Sequence, residues 1–520
     1  MRELRELVRL RAAGVHIDDY VMDAFWYEPD GGYRTWRKTS WPDGPDRWLA
    51  ACRENGIKPG LWFATNSLEH LKPVDPWRSS LTPSGYTMAM YTGGFLNDFM
   101  DVLQYWYDRG IRLFKFDFAD MDAVAPADEG VLSPGDVRRR NERALHTALG
   151  AFRQKNPDVV LVAFNGFVGD VGSAKSFVHQ SSFRWLDIFD ALYAGDPRPS
   201  QVPEMNFWRS VDIYTDRMVR RLEQAGVPLE RIDSTGFMIG NTGTNYGRRT
   251  AGWQGALLLL MARGGWINTI YGNLELLDAA DAGWFAKAQE TYDELQRAGE
   301  PRAFGGIAGG RDPYGFVSST AKGGLYVVVN PAQALQTAGL PDAAGAGRIL
   351  FRDAGFEPEL RGNSIRLGPG QIALVGFGRY ADPAYDLGVG GDIRVPLRIA
   401  PIDATFRRTG PGLVYTATLT APVSGDIRVV FRQFDRNEAV KRSTTWSDMA
   451  TFFVISAAQS GKPVPVTINY DRVVWSGMSW AAGEIRHDDF TAGVPIQIRL
   501  YSADQDPSLH LEGQVYAVEY

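Results

Sequence analysis

Over roughly its first 300 residues the chain alternates short apolar strands with amphipathic helices, and it does so eight times. The strand candidates are 20–27, 58–65, 86–93, 111–118, 159–166, 188–196, 235–241 and 266–273. Helical stretches such as PDRWLAACRENG, FLNDFMDVLQYWYDRG and WFAKAQETYDELQRAG stand between them. The second of these stops at Gly110, as a helix C-terminus does. Strand–helix units in series call for parallel strands, because each helical crossover returns the chain to the same end of the sheet. Eight such units predict an α/β fold, a (β/α)8 TIM barrel over residues 1–300.

Beyond PRAFGG the pattern shortens to alternating strands with turns and little helix. Residues 301–380 read as a small antiparallel β-sandwich, RYADPAYDLGVGG as a linker, and 381–520 as a C-terminal β-sandwich module. That last module is accessory or carbohydrate-binding, and Trp446, Trp475 and Trp480, which do not read as surface residues, tilt it toward a structural role.

Apolar content of 44% and charged content of 22% are those of a globular protein with sizeable cores. A net charge of -6 without a long basic run excludes a nucleic-acid binder. Cys52 stands alone, so there is no internal disulfide framework. His16, His70, His146, His179, His487 and His510 are too scattered to form a metal set, and no phosphate- or dinucleotide-binding loop is found, so no cofactor or metal is expected. No stretch is long and apolar enough to span a bilayer. The charged N-terminus MRELRELVRLRAAG lacks a secretory h-region and points to the cytoplasm; a trimmed export signal would place the protein in the periplasm or outside. The partners expected are an oligosaccharide or polysaccharide substrate, no membrane, and at most further copies of the chain in a homo-oligomer.

The segment IRLFKFDFAD puts Lys115, Asp117 and Asp120 among Phe114, Phe116 and Phe118. A charge costs several kcal/mol to desolvate unless it is paired. Lys115 and Asp117 share strand parity, so both can face a cavity at the strand's end and each can supply the other's counter-charge. Other polar residues fall at strand ends too: Asp23 and Trp26, Trp62 and Thr65, Asn165, Asp196, and Asn241. In a parallel barrel the C-terminal strand ends form the active-site face, and this ring marks a pocket there.

These phrases resemble clan D glycoside hydrolases, the α-galactosidases of families 27 and 36. Lys-x-Asp at the fourth strand candidate resembles the clan's nucleophile motif. MDAFWY resembles its sugar-binding Asp–x–x–Trp segment, NGIKPGLWF its second-strand phrase, and FNG its polar fifth-strand end. The resemblance covers roughly residues 15 to 375. The first strand carries one Asp where the clan has two, the fifth lacks the usual cysteine, and the long N-terminal sandwich of many family 36 enzymes is absent. These departures loosen any inference of galactose over α-N-acetylgalactosaminide or β-L-arabinopyranoside.

The resemblance implies an exo-acting, retaining α-glycosidase with Asp117 as nucleophile and Asp196 as acid/base. Asp212 is the rival for the second role, although its place before a helix suits an N-cap. Asp23, Trp26, Trp62, Lys115, Asn165, Arg209 and Asp212 make up the substrate-binding set, with Trp62 against the ring and Arg209 on a hydroxyl or on Asp212. Asp18 and Asp19 read as solvated loop residues. Three other readings stay open: a transglycosylase on the same site, a Schiff-base aldolase or lyase using Lys115, and a non-catalytic carbohydrate-binding protein. The Lys115–Asp117 pair could also be purely structural.

Overall fold

The structure, a computed structural model, describes residues 2–167, 180–195, 210–234, 237–240, 246–247, 252–265, 267–437, 453–469, 472–473 and 480–520. The chain divides into two compact units, one of Met1–Gly195 with Ala225–Asp233, the other of Asp196–Gln224 with Ser234–Tyr520.

Among its described residues the first unit is built on six parallel strands in chain order: β1 (Asp19–Met22), β2 (Lys58–Ala64), β3 (Leu113–Asp117), β4 (Val160–Ala163), β5 (Ala191–Tyr193) and β6 (Ile232–Asp233). Strand alternation explains the mixed composition of β3. Phe114 and Phe116 take the face covered by helices, where Phe114 meets Phe152 and Phe116 meets Phe99 edge to face. Lys115 and Asp117 take the other. The helix carrying Phe99, Phe95–Asp108, buries Phe95, Phe99, Val102, Leu103 and Trp106, the spacing of one helical face. It ends as the sequence indicates, with Gly110 at φ +103 and its N–H on the Tyr107 carbonyl.

The expected strand at 86–93 is not a strand. Its backbone makes isolated bridges at Ser67↔Thr87 and Leu81↔Met88, and Met90 N–H donates to the Asn141 side chain. Side chains and loops have taken the hydrogen bonds that a strand neighbour would take, and Gly93 ends the segment between flanking Gly85 and Gly94. Lys115 and Asp117 therefore lie on the third strand of the chain. Asp19 is also not a loop residue. It opens β1 opposite Lys58, half-buried, and burial pushes its carboxyl up to about 6.

In the second unit, Phe237–Ile239 and Ile270–Gly272 form a parallel pair. Gly272, at φ +112, allows the contact, since a Cβ there would lie 1.8 Å from the Ile239 carbonyl oxygen. The eight-stranded barrel of expectation is thus seen as six parallel strands in one unit and a parallel pair in the other. The short apolar helix Trp253–Ala262 is buried on nearly all sides and packs on Phe285 and Trp284 of helix Ala279–Ala298. No helix among the described residues is long and apolar enough to cross a membrane.

Among the described residues, the rest of this unit is antiparallel apart from one edge strand. A six-stranded sheet and a three-stranded sheet between Glu300 and Val395 share a core that includes Tyr326, Ile365 and Val375. The stretch read as a linker belongs to this sheet, for Gly388–Val395 pairs in parallel with Gly347–Gly355 along its edge. Two five-stranded sheets between Arg398 and Glu519 enclose a second core of Val429, Phe431, Ile498, Val515 and others.

Candidate active site

β3 is paired on both sides, Lys115 opposite Trp62 of β2 and Val162 of β4, so these side chains share one face of the sheet. Asp117 ends the strand. Its Oδ2 accepts from the Trp62 indole N–H at 3.1 Å, and its Oδ1 accepts from the backbone N–H groups of Phe118 at 2.9 Å and Asn165 at 3.1 Å. The last two bonds depend on local backbone. Phe118 sits at φ +49, which turns its N–H back on the preceding side chain. Gly166 sits at φ +101, and a Cβ there would be 2.0 Å from the Ala119 carbonyl oxygen, so only glycine lets the FNG turn close on the end of β3.

Burial pushes the Asp117 carboxyl above the ordinary aspartate range, against the opposing pull of the Lys115 charge, the Trp62 indole and the Phe118 N–H; the negative charge of Asp23 adds slightly to the upward shift. Lys115 is thus not the private counter-ion of Asp117. Its Nζ lies 3.0 Å from Asp23 Oδ2 and 3.9 Å above the Phe164 ring. The Lys115 side chain is 9% exposed and that of Asp23 51%, so the pair runs from the sheet to open surface.

Two aromatic expectations are corrected. Trp26 is 1% exposed, packed among Tyr27, Tyr33, Trp36, Phe63 and Trp106, and its indole donates to the Trp62 carbonyl. It braces β2 from within the core, where no sugar reaches. Trp62 is 2% exposed and meets Asp117 with its N–H, which leaves no open ring face of the size a sugar needs. Phe25, at 45% and φ +70, and Phe118, at 36%, are exposed instead. Phe118 stands edge to face with Trp62; Phe25 contacts His70 and lies 5.7 Å from the Arg37 guanidinium. Neither was singled out from the sequence, and large apolar side chains in the left-handed region at strand ends are a structural signal only.

Asn66, fully buried, was also missed. Its side chain donates to the carbonyls of Met88 and Asp120 and accepts from Asp120 N–H, tying the loops after β2 and β3 together. Asn165 reaches Asp117 through its backbone rather than its side chain. Asp196, Arg209 and Asn241 lie outside the described residues. Asp212 is on the first turn of helix Ser210–Gln224 in the second unit and is buried. One turn on, Asp216 accepts from Tyr314 Oη at 2.7 Å and pairs with Arg263 at 3.3 Å. Burial raises Asp216 to about 7, against Arg263 and Tyr314. The negative charge of nearby Asp212 adds to that rise.

Among the described residues, no three His, Cys, Asp or Glu side chains gather as metal ligands would. What the first unit does gather is a buried carboxylate aimed by three N–H donors, a lysine–aspartate pair beside it, and an aromatic rim.

No protein-family model and no curated protein matches the sequence. Solved structures do match the fold. The galactosidase domain of an α-galactosidase–sucrose kinase is similar at 15% identity and a TM-score of 0.50, over 72% of this chain and 52% of that one. A family 36 α-galactosidase from Geobacillus stearothermophilus, solved with raffinose, is similar at 13% identity and the same TM-score, over 72% of this chain and 53% of its own. The chain spans about half the length of these structures, and at such identities the likeness is one of fold. In fold, then, it is like the α-galactosidases of clan D.

Proposed function

We propose that the protein is a retaining, exo-acting α-glycosidase of the α-galactosidase kind, acting on a terminal sugar through a covalent glycosyl–aspartate. The observation that carries this reading is the environment of Asp117. A retaining glycosidase needs one carboxylate fixed in position and able to attack the anomeric carbon. Three N–H donors fix Asp117, and the Lys115 charge favours its ionised form. Asp117 attacks C1 while the second carboxyl, for which Asp196 is the candidate, gives its proton to the departing glycosidic oxygen. The same group then takes a proton from water, whose oxygen displaces Asp117 from C1 and restores both carboxyls. Asp23, joined to Lys115 and open to solvent, is placed to accept hydrogen bonds from sugar hydroxyls. The exposed faces of Phe25 and Phe118 suit the apolar side of a pyranose.

The Schiff-base alternative is disfavoured by the same geometry, since an ammonium held at 3.0 Å by a carboxylate is not the free amine such chemistry requires. The fold likeness to α-galactosidases supports the glycosidase reading without fixing the sugar.

The test is hydrolysis of aryl glycosides (α-galactosyl, α-N-acetylgalactosaminyl, β-L-arabinopyranosyl, α-glucosyl) by the wild type and Asp117→Ala. Release from one of them, lost in the variant, is expected and names the sugar. Release that survives in the variant refutes Asp117 as nucleophile.

A further inference from the structure

The strands Asp426–Phe434 and His510–Glu519 lie side by side in one of the two C-terminal sheets, with Phe434 opposite His510, Arg432 opposite Glu512 and Val430 opposite Gln514. Val429, Phe431, Leu511 and Val515 point into the core, so Val430, Arg432, Phe434, Glu512, Gln514 and Tyr516 stand on the outer face. A cavity of about 460 Å³ opens on that face, bordered by residues 404–406 and by Arg311 of the preceding β-module. Its size falls within the roughly 300–1,000 Å³ of small-molecule sites.

The lining has a definite chemistry. Two aromatic rings stand at its ends: Phe434 and Tyr516 are separated by about six residues of strand, roughly 20 Å at ~3.3 Å per residue. Between them come side chains with planar donor and acceptor groups. Several are already held in place. Phe434 is stacked on His510, with centroids 5.6 Å apart, and Tyr516 Oη donates to Gln514 Oε1 at 2.7 Å. Arg311 and Arg432 are accompanied by Glu512, so both signs of charge line the cavity. A phosphate or a polyanionic chain would be drawn to a single-sign field. A neutral polyol needs donors and acceptors together, with apolar ring faces for its C–H surfaces.

We propose that this outer face is a second carbohydrate site, which takes an extended neutral oligosaccharide along the strands, with sugar rings against Phe434 and Tyr516 and hydroxyls on Arg432, Glu512 and Gln514. It holds polymer near the enzyme and performs no chemistry, and it does not depend on the role given to Asp117.

The experiment is affinity electrophoresis of the full chain in gels containing galactomannan, arabinogalactan or polygalacturonate. Retardation by at least one neutral polymer is expected, equal in the wild type and in an Asp23→Ala/Asp117→Asn double variant, and at least tenfold weaker in Phe434→Ala/Tyr516→Ala. Gln514→Ala, at an exposed position, weakens it severalfold and serves where the aromatic variant melts early. Three results overturn the proposal: no retardation by either neutral polymer, retardation by polygalacturonate alone, or retardation that is lost in the Asp23/Asp117 variant and kept in the outer-face variants. Hydrolysis of aryl glycosides tests the catalytic assignment separately, so either reading can fail without the other.

Discussion

Asp117 stands between two opposed effects, a burial that favours its protonated form and a set of N–H donors and a cation that favour the carboxylate. Burial prevails, so the folded pKa lies above that of an exposed aspartate, and the ionised carboxylate that the proposed mechanism calls for is lost as pH falls through that raised value. On that proposal the acidic limb of kcat/KM is set by the few groups that hold the carboxylate. Trp62→Phe keeps an aromatic ring and removes one donor at 3.1 Å. A hydrogen bond to a charged group is worth about 1.5–3 kcal/mol, so kcat/KM at acidic pH falls roughly tenfold or more and the acidic limb moves to higher pH. A pH–rate profile of the variant checks both, and a limb that stays in place would show that the indole does not tune Asp117. The pairing of Lys115 and Asp117 on one strand face was legible in the sequence, because strand parity is fixed inside a paired strand. Trp26 was misread for the same reason in reverse. β1 ends at Met22, and Phe25 at φ +70 breaks the alternation, so the outward ring is Phe25 and the tryptophan turns into the core.

Among elements, the segment 86–93 shows where sequence pattern stops being sufficient. Its apolar run suits a strand, yet Asn141 from helix Pro134–Lys155 takes the Met90 N–H and donates to the carbonyls of Met121 and Ala123. A polar side chain 51 residues from Met90 in sequence leaves no local trace of such a role. Asn141→Ala strands three buried backbone groups at about 1–3 kcal/mol each before relaxation, so unfolding free energy in urea drops by about 2–4 kcal/mol. A drop under about 1 kcal/mol would mean that 86–93 is held by other contacts. The Asp216–Arg263–Tyr314 group makes a pH-dependent contribution at the same scale. Burial raises Asp216 to about 7 from an ordinary ~3.9, so the folded state binds its proton more tightly than the unfolded chain does. Its stabilisation is fully present below about pH 4 and declines as pH rises through 7, by about 1.4 kcal/mol per unit inside that window. Asp216→Asn removes the titration. The difference in unfolding free energy between wild type and variant should fall steadily from pH 4.5 to 6.5, and a flat difference would remove Asp216 from the linkage.

At the scale of the whole molecule, the final β-module has a core of its own and yet is bound into the second unit by buried contacts. Arg428, almost fully buried, pairs with Glu484 and Tyr520 of the module and reaches Gln333 Oε1 at 3.4 Å in the preceding one. Trp480 is covered by Tyr214 of the helix Ser210–Gln224, with centroids 6.4 Å apart, and Arg472–Val473 pairs with Tyr246–Gly247. The alternation of strands showed that such a module exists, but contacts between segments 95 or more residues apart have no sequence period to betray them. They argue that the module is integral, since removing it uncovers Tyr214 and takes the Arg428 donor away from Gln333. A chain truncated after Pro396, which keeps the edge strand Gly388–Val395, should unfold at a clearly lower temperature than the full chain or fail to stay in solution. Limited proteolysis of the full chain should give no early cut between residues 379 and 398, where helical turns and a paired strand replace the expected linker. A stable fragment ending in that interval, melting at the temperature of the intact protein, would show the module to be a detachable appendage, and the carbohydrate site on its outer face would then be carried by an independent domain.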